Sequence, residues 1–249
     1  MTRRRFFAPV NAFSSGRQTV TLLSDEARYL RDVLRLHVGD EVSVFDGEGR
    51  EFQCATAEST RSSAELNVIS EIVPAKPESH LHLTLAVALL KGDKFDLVVQ
   101  KVTELGGARI VPVITDRSDV RLEPGQDLTK RVERWQRIAL EAAKQSGRAL
   151  VPEVSEPVSF ADCVSNATEP LRIIFSERDG GSLEPALQDC RASEVVVLVG
   201  SEGGWTDREL ESARDAGWKI VTLGGRTLRA ETAAIVVVAL LQNHFGDLR

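Results

Sequence analysis

The sequence predicts an α/β chain that begins with a small all-β domain, and two observations carry this prediction. Short period-two alternations of apolar and polar residues fill the first 73 residues, whereas strands that are apolar on both faces alternate with helices further on. Between the two patterns, Pro74–Pro77 has the composition of a linker. We therefore expect a β-barrel domain over residues 1–73 and an α/β domain with a parallel sheet over residues 74–249.

In the first domain, alternation predicts short strands, and the turn residues at 46–49 join the last two into a hairpin. The expected strands are Thr19–Leu22, Glu41–Phe45 and Arg50–Cys54. Between the first two, Ser24 is the expected cap of a helix over residues 26–34. The apolar face of this helix consists of Ala27, Leu30, Val33 and Leu34.

In the second domain, buried strands and amphipathic helices follow one another without repeats or low-complexity segments. The expected strands are Leu81–Leu90, Ile110–Ile114, Leu171–Phe175, Val195–Val199 and Lys219–Leu223. The expected helices are Phe95–Leu105, Thr129–Ser146, Leu183–Cys190, Asp207–Ala216 and Ala230–Phe245. Glycines follow several of these helices, where a left-handed residue commonly ends a helix.

Charge is distributed unevenly along the chain. The 249 residues carry a net charge of −6, which argues mildly against a general nucleic-acid coat protein. The first 35 residues, however, carry seven arginines and only three acidic residues. This local basic patch suits contacts to phosphates, although a solvated surface that happens to carry arginine is an equally good interpretation.

Cysteine, histidine and hydropathy patterns bound the remaining possibilities. The three cysteines are far apart and form no C-x-x-C pair, which suits reduced thiols in a cytoplasmic protein. His80 and His82 favour an ordinary strand over a metal site, and we expect no metal. No secretion signal is visible, and the longest apolar run, 233–241, has about half of the ~20 residues that a membrane span needs.

Two glycine-rich segments follow predicted strands and are the candidates for ligand binding. One is residues 199–205, of which 200–205 lie beyond the predicted strand, and the other is residues 223–233. In open parallel sheets ligands bind at the carboxyl ends of strands, and glycine lets backbone groups approach them closely. Plain tight turns remain an alternative. Neither segment is G-x-G-x-x-G and no P-loop motif occurs, which argues against dinucleotide and nucleoside triphosphate sites.

The order of several segments resembles a known family, the bacterial 16S ribosomal RNA uracil-N3 methyltransferases of the RsmE type, within the SPOUT superfamily. The resemblance spans nearly the whole chain. It is carried by Arg4–Phe7, Tyr29–Leu36, Gly39–Asp40, Phe45–Gly49, Lys91–Lys94, Gln100–Gly106, Glu141–Arg148 and the two glycine-rich segments. The chain departs from the family pattern at Ser201, where proline is usual, and at 225–230, where Pro-Arg-Ile-Leu-Arg-Thr is common.

The resemblance implies a fold and an activity that composition alone does not indicate. It implies a SPOUT-type α/β domain whose carboxyl-terminal segment is threaded into a trefoil knot, a PUA-like RNA-binding barrel at the amino end, and a homodimer. It also implies S-adenosylmethionine as cofactor, held in a bent form by the knot loops. The implied reaction is methylation of N3 of one uridine, uridine 1498 of 16S rRNA, within the small ribosomal subunit.

Site residues follow from the glycine-rich segments and the resemblance together. The expected cofactor-binding residues are Leu198, Gly200, Ser201, Glu202, Gly203, Gly204, Leu223, Gly224, Leu228, Thr232 and Ala233. Arg229 and Glu231 are the expected catalytic residues, because uracil N3 must lose a proton to a carboxylate while an arginine stabilises charge on O2 and O4. A salt bridge or helix-start role is the alternative for both.

The expected RNA contacts are basic residues that would grip phosphates without reading sequence. They are Arg3, Arg4, Arg5, Arg17, Arg31, Arg35, Lys91, Lys94 and Arg148. Two other functions remain open on the residues alone: a non-catalytic RNA-binding or assembly factor, and an α/β enzyme acting on another substrate such as transfer RNA or a small molecule.

Overall fold

In the computed structural model, residues 4–120, 128–188 and 190–248 are described, and they form two compact units. The first unit comprises the chain up to residue 78 together with residues 143–151. The second comprises residues 79–142 and the chain from residue 152 onward. Residues 74–77, the predicted linker, therefore pack within the first unit, where the backbone N–H of Ala75 donates to the Glu51 carboxylate.

The first unit is built on a five-stranded sheet. Its strands are β1 (Arg5–Phe7), β2 (Thr19–Leu23), β3 (Glu41–Phe45), β4 (Glu51–Ser59) and β5 (Ser63–Ile72). They lie in the order β1-β3-β4-β5-β2, with β1 and β3 parallel and the other pairs antiparallel. Residues that point inward from these strands and the adjoining helix, among them Phe6, Val44 and Leu66, form a buried core.

The helix of the first unit differs from the prediction. Helix α1 is Ser24–Arg28, and residues Tyr29–Val33 continue it as a π-helical turn. Ser24 is inside the helix at φ +48° and makes no capping bond, so its assignment as the cap is wrong. The wider π turn, closed by the bond from Leu34 N–H to the Tyr29 carbonyl, rotates Val33 off the apolar face, and that side chain is exposed.

The second unit contains a seven-stranded sheet in which every paired strand is parallel. Its strands are β6 (His82–Ala88), β7 (Arg109–Ile114), β8 (Glu153–Val154), β9 (Val158–Ser159), β10 (Leu171–Phe175), β11 (Glu194–Val199) and β12 (Lys219–Val221). The order is β12-β10-β11-β6-β7-β8, and β9 also pairs with β7. The short strands β8 and β9 are absent from the prediction because two residues give no period.

Six helices of the described residues accompany this sheet. They are α2 (Lys94–Glu104), α3 (Thr129–Ser146), α4 (Phe160–Asn166), α5 (Leu183–Leu187), α6 (Asp207–Asp215) and α7 (Ala230–Phe245). Helix α4 is not predicted, and α5 ends at Leu187, short of the predicted Cys190. Helix α7 packs on α2 and on the sheet. Among the described helices, none is long and apolar enough to cross a bilayer.

Candidate functional site

The carboxyl ends of three neighbouring strands, β10, β11 and β12, open onto one cavity of about 550 Å³. This size falls in the range of small-molecule sites. The segments that follow the three strands supply its walls. The lining residues are Phe175, Ser176, Glu177, Val199, Gly200, Ser201, Glu202, Gly203, Gly204, Trp205, Thr222, Leu223, Gly224, Gly225, Arg226, Thr227, Leu228, Arg229, Ala230 and Ala233.

The first glycine-rich segment, 200–205, is packed too closely to be a plain turn. A Cβ on Gly203 would lie 2.8 Å from the backbone oxygen of Arg117, and a Cβ on Gly204 would lie 2.6 Å from Oε1 of Glu177. Gly204 also adopts φ +64°, a left-handed conformation that other residues rarely take. Glycine is therefore required at residue 203 by the neighbouring backbone, and it is favoured at residue 204 by the backbone conformation and by the Glu177 side chain.

Trp205 anchors this segment to the sheet. Its side chain is buried, its indole N–H donates to the Phe175 carbonyl at 2.8 Å, and its ring packs against Phe160. The next residue, Thr206, begins α6 in a capping box with Glu209. The buried Trp205 side chain and the capped start of α6 thus hold the segment in place.

Ser201, the departure from the family pattern, is tied to the segment that follows β7. Its hydroxyl donates to the Arg117 carbonyl at 3.0 Å, and its own carbonyl accepts from Gly204 N–H at 3.0 Å. Ser201 is also buried at the cavity wall. The serine therefore supports the turn by a side-chain hydrogen bond that proline could not make.

Glu202 forms an ion pair with Lys94 at the rim of the cavity. The hydrogen bond to Glu202 raises the pKa of Lys94. Burial acts to raise the pKa of Glu202, but the bond to Lys94 and the other favourable interactions outweigh it, and the pKa is lowered. Both groups are therefore charged at neutral pH, and Lys94 is paired with a carboxylate rather than presented as a free phosphate contact.

The two expected catalytic residues lie in different positions relative to the cavity. Arg229 lines it from an extended backbone at the start of α7, and its side chain is exposed. Glu231 lies in the first turn of α7, is only 9% exposed, and does not line the cavity. Its Oε2 atom is buried and has no hydrogen-bond partner within the described part of the chain.

The structure brings most of the expected cofactor-binding residues together, with two exceptions. Leu198 points into the core of the sheet, because β11 alternates its side chains between the two faces. Thr232 lies on the exposed side of α7. Neither lines the cavity. Conversely, sequence reasoning missed the segment 175–177 after β10, although Gly180 and Gly181 mark another strand end that could have indicated it.

The expected RNA-binding residues divide by exposure. Arg5 and Arg148 are buried in ion pairs within the first unit, with Glu51 at 3.2 Å and Glu78 at 2.7 Å respectively. Their assignment to phosphate contacts is corrected, because guanidinium groups enclosed by carboxylates stabilise the fold instead.

The other basic residues are placed variously. Arg4 and Arg35 are exposed, Arg17 is half-buried over the Phe52 ring, and Arg31 pairs with Asp32. Lys91 pairs with Asp119 at 3.0 Å. Arg3 lies outside the described residues.

Comparison with known proteins identifies the family to which this chain is similar. The model for an RNA methyltransferase domain matches residues 77–242, and the model for an RNA methyltransferase PUA domain matches residues 22–69. The ribosomal RNA small subunit methyltransferase E of Synechocystis sp. is 37% identical over 89% of this chain and 72% of its own length. The enzyme of the same name from Rickettsia conorii is 31% identical over 96% and 97%.

Solved structures agree with the sequence relatives. Ribosomal RNA small subunit methyltransferase E from Neisseria gonorrhoeae, bound to S-adenosylmethionine, has a TM-score of 0.85 at 35% identity and covers 99% of this chain and 100% of its own. A methyltransferase from Legionella pneumophila, in complex with the same cofactor, has a TM-score of 0.87 at 30% identity, with both chains covered completely.

The parallel sheet, its glycine-walled cavity and the PUA-like unit define an RNA methyltransferase of the SPOUT type. The predicted fold class and the predicted class of enzyme are confirmed. More narrowly, the chain belongs to the ribosomal RNA small subunit methyltransferase E family.

Proposed function

We propose that this enzyme transfers a methyl group from S-adenosylmethionine to N3 of a uridine in 16S rRNA, at the position that the family resemblance implies, uridine 1498. The observation that carries the proposal is the cavity at the ends of β10, β11 and β12, whose walls include five glycines from the two glycine-rich segments. Relatives of the same architecture bind S-adenosylmethionine in their crystal structures.

The residues present fit this cofactor. The two glycine-rich walls bring backbone groups to the cavity without side chains in the way, where they can bond an adenine ring. Leu223, Leu228 and Ala233 supply apolar contacts. We assign the cofactor to Gly200, Ser201, Glu202, Gly203, Gly204, Leu223, Gly224, Leu228 and Ala233.

When bound, S-adenosylmethionine supplies an electrophilic methyl group on a sulfonium. The chain's task is then to align uracil N3 with that methyl and to manage the N3 proton. Arg229 lines the cavity with an exposed guanidinium, which can stabilise negative charge on O2 and O4 of the base as the proton leaves. Glu231, with a buried Oε2 that has no partner among the described residues, is our candidate for accepting that proton. Because Glu231 does not line the cavity, the proton would reach it through an intervening group such as a water molecule.

The test is to incubate small ribosomal subunits that lack the modification with the enzyme and S-adenosylmethionine, and to identify the modified nucleoside by mass spectrometry. We expect 3-methyluridine at one position. A ribose-methylated or C5-methylated product would refute the assignment to N3, and modification of transfer RNA alone would favour the alternative substrate class.

Arg229→Ala tests the catalytic assignment within this assay. We expect it to fold and bind the cofactor but to lose about 10²- to 10³-fold in turnover, as expected for removal of one charge-stabilising donor. Arg214→Ala removes an exposed arginine of α6 outside the cavity and serves as the matched control. Turnover of Arg229→Ala equal to that of the control would remove Arg229 from the mechanism.

We further propose that residues 1–73 form an RNA-binding domain and residues 74–249 the catalytic domain, which the matched ranges 22–69 and 77–242 support. Arg4 and Arg35 are exposed and are the strongest remaining candidates for phosphate contacts. Arg17 and Arg31, which are partly buried, also remain candidates. Lys91 and Lys94 would reach RNA only by exchanging their carboxylate partners.

We also propose that the enzyme acts as a homodimer, in the cytoplasm, on the assembled small subunit. The family resemblance and the three free cysteines support this setting. Light scattering should give twice the chain mass of 27.3 kDa. A monomer at micromolar concentration would contradict the dimer, and methylation of naked 16S rRNA at the rate seen with subunits would contradict the assembled substrate.

A further inference from the structure

The segment that follows β10 is fixed between the two glycine-rich walls of the cavity. Ser176 N–H donates to the Val221 carbonyl at 2.9 Å, and Gly181 N–H donates to the Ile220 carbonyl at 3.0 Å. On the other side, the Arg178 guanidinium donates to the Trp205 carbonyl at 3.0 Å. These bonds leave little freedom to the residue between them, Glu177, whose side chain lines the cavity.

The Glu177 carboxylate occupies the space that residue 204 leaves empty. A Cβ on Gly204 would lie 2.6 Å from Oε1 and 3.0 Å from Oε2 of this carboxylate. Real Cβ atoms essentially never approach an oxygen that closely, so the absence of a side chain at residue 204 and the position of Glu177 are linked. The first glycine-rich segment is therefore shaped around an acidic group.

That acidic group has unused hydrogen-bonding capacity. No donor among the described residues lies within hydrogen-bond distance of the Glu177 carboxylate, and the nearest cation, Nε of Arg178, is 4.0 Å away. The rest of the Arg178 guanidinium is committed to Asp179 at 2.9 Å and Asp207 at 2.7 Å. By contrast Glu202, the other carboxylate of the cavity wall, is paired with Lys94.

We propose that Glu177 binds the vicinal ribose hydroxyls of the S-adenosylmethionine nucleoside, accepting one O–H bond on each carboxylate oxygen. An ionised carboxylate is acceptor-only, and its two oxygens match the spacing of two adjacent hydroxyl donors. Glu177 lines the cavity between the two glycine-rich walls, and its carboxylate is partly exposed and therefore accessible to a ligand that enters there. This inference rests on the proposed cofactor and extends it to a residue that the glycine pattern does not indicate.

The experiment is a cycle in which the donor and the acceptor are removed separately and together. Calorimetry measures the affinity of wild type and Glu177→Ala for 5′-methylthioadenosine and for its 2′-deoxy analogue. Either removal alone should weaken binding about 10- to 100-fold, as expected for hydrogen bonds to a charged group. Glu177→Ala removes both bonds and the 2′-deoxy analogue removes one of them, so the variant should bind the two ligands with equal affinity, whereas wild type should prefer the ligand with the 2′-hydroxyl.

One further variant, Glu177→Gln, and two further ligands distinguish a contact to the ribose from a contact to another part of the cofactor. Glu177→Gln should weaken methylthioadenosine, S-adenosylhomocysteine and S-adenosylmethionine by the same factor, with the KM for S-adenosylmethionine raised and kcat at saturation unchanged. A loss confined to the two amino-acid-bearing ligands would place Glu177 at the ammonium and overturn the proposal. A loss confined to S-adenosylmethionine would place it at the sulfonium, with the same consequence.

Glu184→Gln is the matched control, because it removes an exposed negative charge of α5 that does not line the cavity. We expect unchanged affinity for all three ligands. No binding of S-adenosylmethionine to wild type would contradict the proposed function, whereas normal binding to wild type and to both Glu177 variants would overturn only the assignment of Glu177.

Discussion

Replacement of Gly204 by alanine tests how the first glycine-rich segment is built. The substitution meets two obstacles in the structure. Alanine must adopt φ +64°, which costs roughly 1–2 kcal/mol, and its Cβ must displace the Glu177 carboxylate from a distance of 2.6 Å. The carboxylate is the far end of a flexible side chain and can move. The collision is therefore relieved by a shift of Glu177, which changes the lining of the cavity and leaves the fold intact.

The expected result is a modest loss of stability with a clear loss of affinity. The reduced freedom of the unfolded chain offsets about 0.4–1 kcal/mol of the strain. A net loss of about 1 kcal/mol corresponds to roughly 2–4 °C in the midpoint of thermal unfolding for a chain of this size. With Glu177 displaced, S-adenosylmethionine should bind about tenfold or more weakly by calorimetry, because hydrogen bonds to a charged group are lost.

Gly92→Ala is the matched control for this experiment. Gly92 adopts φ +60°, no atom lies within 4 Å of its missing Cβ, and it does not line the cavity. It should lose a similar amount of stability and keep its affinity for S-adenosylmethionine. The reasoning is refuted if Gly204→Ala binds the cofactor as tightly as Gly92→Ala does, since the segment would then not depend on the space beside Glu177.

Three other predictions follow from burial and charge. Arg5→Ala leaves the fully buried Glu51 carboxylate without its cation and should cost about 3–5 kcal/mol in urea unfolding, where a loss below 1 kcal/mol would contradict the structural role. Arg35→Ala, at an exposed position, should leave stability unchanged and reduce the slope of log affinity for RNA against log salt by about 1; an unchanged slope would exclude a phosphate contact. Burial raises the pKa of Cys54 from 9.0 to about 12, so the stability that its neutral thiol contributes is complete below pH 9 and is lost as pH rises toward 12. Wild type should therefore lose more stability than Cys54→Ala between pH 9 and 11. If the urea midpoints of the two proteins fall by the same amount over this range, the Cys54 thiol is not the source of the pH dependence.

Long elements with clear stop residues could be predicted from the sequence closely. Helix α3 has the predicted bounds because its amphipathic period runs unbroken until Gly147, which adopts φ +84°. Helix α7 and strand β10 also have the predicted bounds. In these elements local propensity and tertiary packing favour the same structure.

Features that depend on distant partners could not be predicted in this way. The burial of Arg5 is decided by Glu51, which is 46 residues away in the sequence, so an arginine-rich run looked like an exposed patch. The position of Glu177 becomes meaningful only when the fold brings Gly204 beside it. The π turn after α1 likewise follows no periodic pattern, and the helical period predicted there placed Val33 on the wrong side.

The most direct test of the central claim is calorimetric titration of the purified wild-type protein with S-adenosylmethionine. The account predicts saturable binding at one site per chain, or one per dimer if the two sites are coupled, and loss of affinity in Gly204→Ala but not in Gly92→Ala. A folded protein that shows no binding, or binding that the Gly204 substitution does not change, would contradict the assignment of the cofactor to the glycine-walled cavity.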